Sequence, residues 1–154
     1  MARTIKPGDV FHIKTPKGLA FFQYTYKHDE YGHLIRILPG LFDAIPTAFE
    51  ELAKIKELYY TFFPLSAAVA KGIVVYVARM TLPDSARKPP TLRRAGARAR
   101  GGKALNWWIL SPGGDEFLVN ELNEEQAQYS IAAIWNDTLL VERICSGWLP
   151  EQDK

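Results

Sequence analysis

Short apolar runs alternate with turn residues over the first forty positions of the chain. Residues 18–26, GLAFFQYTY, repeat large side chains with a period of two and are rich in aromatic residues, which favours a β-strand. The apolar run 9–13 precedes them across the tight link TPKG, and the run 33–38 follows them across the turn KHDEYG. Three strands joined by short links predict an antiparallel meander.

A helical pattern follows at residues 46–58, PTAFEELAKIKEL. Thr47 and Glu50 have the T-x-x-E spacing of a capping box, which predicts the start of the helix. The apolar residues recur at spacings of three and four and predict its buried stripe: Ile45, Phe49, Leu52 and Ile55.

The middle of the chain predicts a strand at 59–63 and a short helix that ends at Gly72. The near-continuous apolar run of residues 73–80, IVVYVARM, predicts a strand that is buried on both faces. Further along, residues 104–110 and 116–119 predict two strands joined by the turn SPGGD.

Two helices are predicted towards the end of the chain. Asn123 and Gln126 have capping positions for one or two helical turns. Asn136 or Asp137 caps a longer helix, whose apolar face includes Cys145, and Gly147 lies where a C-cap glycine belongs. These elements predict an α+β fold, in which a curved antiparallel sheet is packed by a few short helices.

Charge is distributed unevenly along the chain. Residues 87–103 carry seven of the 19 Lys and Arg and none of the 17 Asp and Glu, so the rest of the chain has a net charge of −5. The segment has no apolar period that would offset its ordering entropy, which predicts a basic, flexible loop at 84–103. A length of 154 residues predicts a single domain over 1–154.

Compartment and membrane features are few. The first residues show no signal-peptide pattern, and the longest apolar stretch, 62–78, is interrupted by Pro64, Lys71 and Gly72. A single Cys excludes an internal disulfide. These features predict a cytoplasmic protein that has no membrane span.

Catalytic chemistry finds little support in the residue pattern. His28 and His33 flank a turn that holds Asp29 and Glu30, and such groups can contact a metal ion. A catalytic zinc requires about three fixed ligands, however, so a solvated polar turn is the favoured interpretation. The sequence shows no nucleophile motif or phosphate loop either. We therefore predict a protein that is not an enzyme, with no catalytic residues, no metal site and no cofactor.

Two features indicate a binding surface. Trp107 and Trp108 are adjacent on a predicted strand, so they face opposite sides. Packing of both rings is the favoured interpretation, and Trp107 is the candidate interface anchor if one of them is exposed. An acidic cluster within eleven residues would attract a basic partner: Asp115, Glu116, Glu121, Glu124 and Glu125. The same carboxylates would also stabilise a nearby helix start, which is an equally good structural interpretation.

The basic segment suggests an alternative partner, since its cations could neutralise nucleic-acid phosphates. The residues that would do so are Arg93, Arg94, Arg98 and Arg100. The segment lacks interleaved aromatic residues for base stacking and matches no known nucleic-acid-binding motif. Binding of nucleic acid is therefore not the favoured hypothesis.

Three blocks of the chain resemble the bacterial immunity protein 26 family. They are IKPGDVFHIKTPKGLAFFQYTYKHDEYGHLIRILPGLF, FFPLSAAVAKGIVVYVARMTLP and LLVERICSGW, so the resemblance covers residues 5–83 and 105–148 and omits the basic segment. It implies an SH3-like barrel start and a cytoplasmic protein that binds and neutralises a cognate toxin. Some members are named as phosphotriesterases, which implies metal-assisted hydrolysis. For this chain the leading hypothesis is a toxin-neutralising immunity protein, nucleic-acid binding is the alternative, and metal-dependent phosphotriester hydrolysis is the weaker alternative.

Overall fold

The computed structural model describes residues 4–154 and contains two β-sheets and four short α-helices. The elements are β1 (Asp9–Thr15), β2 (Gly18–His28), β3 (Gly32–Ile37), α1 (Phe49–Leu52), β4 (Tyr59–Phe62), α2 (Leu65–Ala70), β5 (Val74–Arg79), β6 (Leu92–Ala95), β7 (Trp107–Leu110), β8 (Glu116–Val119), α3 (Glu124–Ala127), β9 (Ser130–Ile131) and α4 (Asp137–Ser146). Single turns of 3₁₀-helix lie at Asp84–Ala86 and Pro150–Gln152. The α+β class is thus confirmed.

The first sheet has the strand order β4-β3-β2-β1-β5, and all its neighbours are antiparallel. The predicted meander of β1, β2 and β3 is confirmed. The middle of β2 is buried on both faces, from Ala20 to Thr25. One face packs on the main core with α4, and the other covers the smaller cluster around Phe21 and Leu52. Strands β4 and β5 are the two edges, so these five strands do not close into a barrel.

Strand β5 was predicted to be buried on both faces, and this is wrong. Among the described strands it pairs with β1 alone, and Val75 keeps 49% of its surface exposed. The prediction treated a continuous apolar run as a central strand. Apolar side chains on an edge strand give the same sequence pattern, because position in the sheet is not encoded locally.

The helix predicted at 46–58 is reduced to the four residues of α1. Ala48, and not Thr47, is the N-cap, and no side chain caps the helix. The guanidinium of Arg36 on β3 donates to the carbonyl oxygens of Ala53 and Ile55, the latter at 3.1 Å. In a continuing helix those carbonyls would accept from amides four residues later, so the buried arginine ends the helix.

The second sheet has the order β8-β7-β6-β9 and contains the largest departure from expectation. Strand β6 lies inside the segment predicted to be a loop, pairs antiparallel with β7 and parallel with β9, and is half buried. The prediction of a loop throughout 84–103 is therefore wrong at Leu92–Ala95. Arg93 is fully buried there, for reasons given below.

Both C-terminal helices form as predicted. Asn123 and Gln126 make the capping box of α3, and Asn136 caps α4, which ends at Gly147 in the left-handed conformation (φ 71°). The two sheets meet where β4 contacts residues 130–135: the Tyr60 amide donates to Ser130 Oγ at 2.8 Å, and the Trp135 amide donates to the Phe62 carbonyl at 2.9 Å. Among residues 4–154 no helix is both long and apolar enough to cross a membrane.

Candidate functional site

An open cleft of about 360 Å³ lies between the two sheets; we call it the interlayer cleft. The β2–β3 turn forms one wall, and the β7–β8 turn forms the other. Its floor belongs to the small apolar cluster that joins the sheets, formed by Leu34, Phe62 and Leu92 with their neighbours. The cleft therefore exists because two hairpin turns project beyond a shared core.

Aromatic rings line the cleft on the side of the first sheet. Tyr31 stacks on Phe62 with ring centroids 4.8 Å apart, and His28 meets both rings edge-on at 5.1 and 5.7 Å. The Nδ1 atom of His28 accepts hydrogen bonds from the amides of Glu30 and Tyr31 at 3.0 and 3.2 Å. In the neutral ring the proton is therefore on Nε2, which is left as a donor.

Arg94 connects this aromatic wall to the second sheet. Its guanidinium donates to the Tyr31 hydroxyl at 3.4 Å and lies 3.6 Å from a Glu116 carboxylate oxygen. The hydrogen bond with Tyr31 raises the pKa of Arg94. A guanidinium has five N–H donors, so these two long contacts leave donors that a bound molecule could use.

A second and wider depression, of about 620 Å³, adjoins the cleft at Pro90; we call it the C-terminal groove. Carboxylates from three parts of the chain line it, namely Glu57, Glu125 and Glu151, together with a single cation, Lys56. The Tyr129 hydroxyl donates to Glu125 at 3.3 Å. The arrangement can hold cationic groups against aromatic rings.

Arg93 is the residue that orders the basic segment. Its guanidinium donates to four carbonyl oxygens, those of Ala127, Tyr129, Pro150 and Asp153, at 2.6–3.2 Å. The group also stacks over the Trp107 ring at 4.2 Å. Burial lowers the pKa of Arg93 to about 10, opposed by the charge of Asp153. Arg93 is thus a structural residue that joins the basic segment to the C-terminus.

The residues named for nucleic-acid binding are therefore divided. Arg93 is fully buried, so it cannot contact a phosphate backbone, whereas Arg94 is held by long contacts with Tyr31 and Glu116 and keeps donors for a bound molecule. Arg98 and Arg100 are exposed, and Arg98 donates to the Gly102 carbonyl at 2.6 Å.

The residues named for partner binding are also divided. All five acidic residues are exposed: Asp115, Glu116, Glu121, Glu124 and Glu125. Glu116 lines the interlayer cleft and Glu125 lines the C-terminal groove, so the cluster extends over both depressions. The choice of Trp107 as an exposed anchor is wrong, because that ring is 2% exposed beneath Arg93, whereas Trp108 is half-buried.

The two histidines of the metal hypothesis have different surroundings. His28 lines the cleft, whereas the His33 ring packs edge-on against Tyr24 at 5.0 Å. Burial, and secondarily the charge of Lys27, lowers the pKa of His33. Within residues 4–154 no group of three or more His, Cys, Asp and Glu side chains could hold a metal ion.

Sequence reasoning missed Tyr31, Phe117 and Leu118 as candidate surface residues. Phe117 and Leu118 are 48% and 46% exposed on β8. The sequence did contain a signal for these two residues. Adjacent large apolar side chains on a short strand point to opposite faces, so both can be buried only if each face of the strand is covered. For Tyr31 the local signal was incomplete, since Phe62 and Arg94, which it contacts in the cleft, are distant in sequence.

Comparisons of the chain with protein-family models, with curated proteins and with solved structures found no match.

Proposed function

We propose that this chain is a non-enzymatic, cytoplasmic binding protein that neutralises a cognate protein toxin, as the immunity protein of a bacterial toxin–immunity system. The partner is a basic protein that docks on the surface made by the interlayer cleft, the C-terminal groove and β8, which we call the acidic face. Two lines of support are the resemblance of residues 5–83 and 105–148 to an immunity-protein family and the charge of this face.

The observation that supports the proposal most strongly is the placement of charge on the acidic face. Four carboxylates line the two depressions, against the cations Arg94 and Lys56: Glu30, Glu116, Glu125 and Glu151. Glu57 also lines the C-terminal groove, but its carboxylate is paired with the buried Arg36 at 3.3 Å. The most central cation of the basic segment, Arg93, points inward to backbone carbonyls. Complementary charge speeds the encounter with a basic protein and disfavours acidic competitors.

The first sheet supports the finer part of the fold proposal, an SH3-like barrel start. Strands β1 and β2 carry register shifts between Val10 and Phe11 and between Tyr24 and Tyr26. Such bulges bend strands and increase their twist. An SH3-like barrel start is what the family resemblance implies, and these two bulges support that proposal.

Co-expression tests the proposal. The product of the adjoining gene is expressed in a bacterial host with and without this chain, and growth and co-purification are measured. We expect the chain to restore growth and to co-purify with that product. A toxic product whose effect persists in the presence of the chain, with no complex formed, would overturn the proposal.

A charge-reversed variant assigns the effect to the acidic face. Glu125→Lys combined with Glu151→Lys should slow association at least about tenfold at low salt and weaken rescue. Glu50→Lys combined with Glu142→Lys makes the same change of charge at exposed sites on α1 and α4 and should leave rescue intact. Equal effects of the two variants would indicate an influence of net charge alone.

A further inference from the structure

Strand β8 is an edge of the second sheet, and among the described strands it pairs with β7 alone. The hydrogen bonds of the β7–β8 loop determine which backbone groups of β8 face β7. The Ser111 amide donates to the Asp115 carbonyl at 2.8 Å, and the Gly114 amide donates to the Ser111 carbonyl at 3.0 Å, with Gly114 at φ 96°. This is the geometry of a three-residue hairpin loop that ends in a glycine bulge.

Hydrogen-bonded and non-hydrogen-bonded pairs alternate along an antiparallel ladder. Counting from the Ser111–Asp115 bond, Phe117 and Val119 direct their backbone groups to β7. The N–H and C=O groups of Glu116 and Leu118 are therefore directed away from the sheet, where another strand can pair with them.

The side chains of β8 offer contacts on both faces of the sheet. Phe117 and Leu118 are each about half exposed and point to opposite faces. Leu118 lies beside Trp108 on the face of the interlayer cleft, and Phe117 lies beside Ile109 on the face that carries Arg93. An added strand would cover apolar surface on each side of β8.

Charge selects among possible occupants of this edge. Residues 115–121 contain Asp115, Glu116 and Glu121 and no cation. Two copies of β8 paired with each other would bring six carboxylates together, and like charges on paired strands are destabilising. A strand that carries Lys or Arg at the flanking positions would meet opposite charge instead.

We propose that β8 is a strand-addition site, to which an extended segment of the partner pairs antiparallel through the backbone groups of Glu116 and Leu118. The segment carries apolar or β-branched residues opposite Phe117, Leu118 and Val119 and basic residues opposite the flanking carboxylates. Main-chain hydrogen bonds supply affinity in this recognition mode, and the alternating side chains supply specificity. The identification of the segment with the toxin rests on the function proposed above.

A synthetic peptide tests the site without the toxin. Its sequence is Lys-Thr-Val-Ile-Tyr-Lys-Lys with blocked ends, which places lysines opposite the flanking carboxylates in the antiparallel register. The control peptide is identical except for two backbone N-methyl groups. One is on the Ile, opposite Leu118, and the other is on the Lys directly after the Tyr, opposite Glu116. Composition and charge are the same, but two pairing donors are lost.

Binding is followed by amide chemical shifts and hydrogen exchange of the full chain. We expect saturable shifts on β8, slower exchange of the Glu116 and Leu118 amides, and binding about tenfold or more weaker for the methylated peptide. Equal binding of the two peptides, shifts confined to the C-terminal groove, or concentration-dependent self-association through β8 would overturn strand addition.

Exposed apolar variants give an independent measurement. Phe117→Ser should weaken peptide binding several-fold, whereas Val75→Ser, which removes an equally exposed side chain from the edge strand β5, should not. A chain that binds the peptide on β8 but fails to restore growth would contradict the immunity function and leave the strand site standing. Undiminished rescue by Phe117→Ser, with equal binding of both peptides, would contradict the strand site and leave the immunity function standing.

Discussion

Each sheet contains a fully buried arginine, and the two are held in different ways. Arg36, in the first sheet, donates through Nε to Gln23 at 2.8 Å and lies 3.3 Å from the Glu57 carboxylate. Arg93, in the second sheet, makes no ion pair with a side chain of the described residues and donates to four backbone carbonyls. One charge is balanced by a carboxylate, and the other is solvated by the backbone.

The difference shows how the second sheet depends on remote parts of the chain. The carbonyls that receive Arg93 come from Ala127 and Tyr129 and from Pro150 and Asp153, so the guanidinium joins β6 to the α3 region and to the C-terminus. The Arg36 guanidinium, by contrast, donates to segment 53–57 and to Gln23, which lie at most 21 residues away in sequence. Burial lowers the pKa of both arginines, which indicates the cost of removing either charge from water.

The largest expected effect follows from Arg93→Met. It removes the donor to four carbonyls, each of which costs roughly 1 kcal/mol or more when left without a partner, so we expect a loss of about 3–5 kcal/mol in the free energy of unfolding. Urea unfolding followed by circular dichroism measures this loss. Arg98→Met, at an exposed site in the same segment, should change stability by less than about 0.5 kcal/mol. A loss below about 1 kcal/mol for Arg93→Met would contradict a structural role.

A smaller effect is expected from Glu57→Gln, which leaves Arg36 with neutral acceptors only. Because the Glu57 side chain is 9% exposed, we expect a loss of about 1–2 kcal/mol in the free energy of unfolding. Glu51→Gln is the matched control, since its ion pair with Lys54 has both side chains 70% exposed and should contribute less than about 0.5 kcal/mol.

Asp153→Asn extends the comparison to the second sheet. The Asp153 carbonyl, and not its carboxylate, accepts from Arg93, so this change should cost less than Glu57→Gln. Equal losses for Asp153→Asn and Glu57→Gln would show that the two arginines are balanced in the same way.

The smallest expected effect is a change of the free energy of unfolding with pH. Its source lies in the first sheet, because all three histidines precede residue 34. Burial lowers the folded-state pKa of His33 below its ordinary value of 6.5. Between those two values the unfolded chain binds more protons than the folded chain, so stability rises with pH and is lost as pH falls below about 6.5. Urea unfolding between pH 7 and pH 5 measures the slope.

Two variants assign that slope. His33→Gln should make the loss on acidification shallower. Lys27→Gln removes the charge that also lowers the pKa of His33, so it should reduce the loss by a smaller amount. Unchanged slopes in both variants would place the acid sensitivity elsewhere.

Local patterns predicted the parts of the fold whose partners are close in sequence. The period-two aromatic residues of β2, with turns on either side, specify a hairpin without reference to the rest of the chain. The caps of α4 at Asn136 and Gly147 are likewise local hydrogen bonds. For the candidate surface, the charge pattern indicated the five acidic residues as candidates for partner binding, and the structure exposes all five, because unpaired carboxylates are costly to bury.

Patterns failed where a distant group changed the outcome. Residues 53–55 have helical periodicity, but Arg36 takes their carbonyls. Residues 92–95 have the composition of a loop, yet Arg93 finds four acceptors supplied by residues 127–153. Composition treats every arginine as a solvated charge, so it assigned Arg93 to a binding surface. Strand alternation could not show which of the two tryptophans lies beneath Arg93, so the choice of Trp107 was wrong.

The sequence by itself determined the α+β class, the meander, the C-terminal helices and the acidic character outside the basic segment, because these follow from local periodicity, local capping and charge. Only the tertiary structure decided that Arg93 is internal, that the interlayer cleft brings His28, Arg94 and Glu116 together, and that β8 is an edge among the strands of residues 4–154. Each of these results depends on groups far apart in the chain, whose burial and hydrogen bonds are settled only when the two sheets pack.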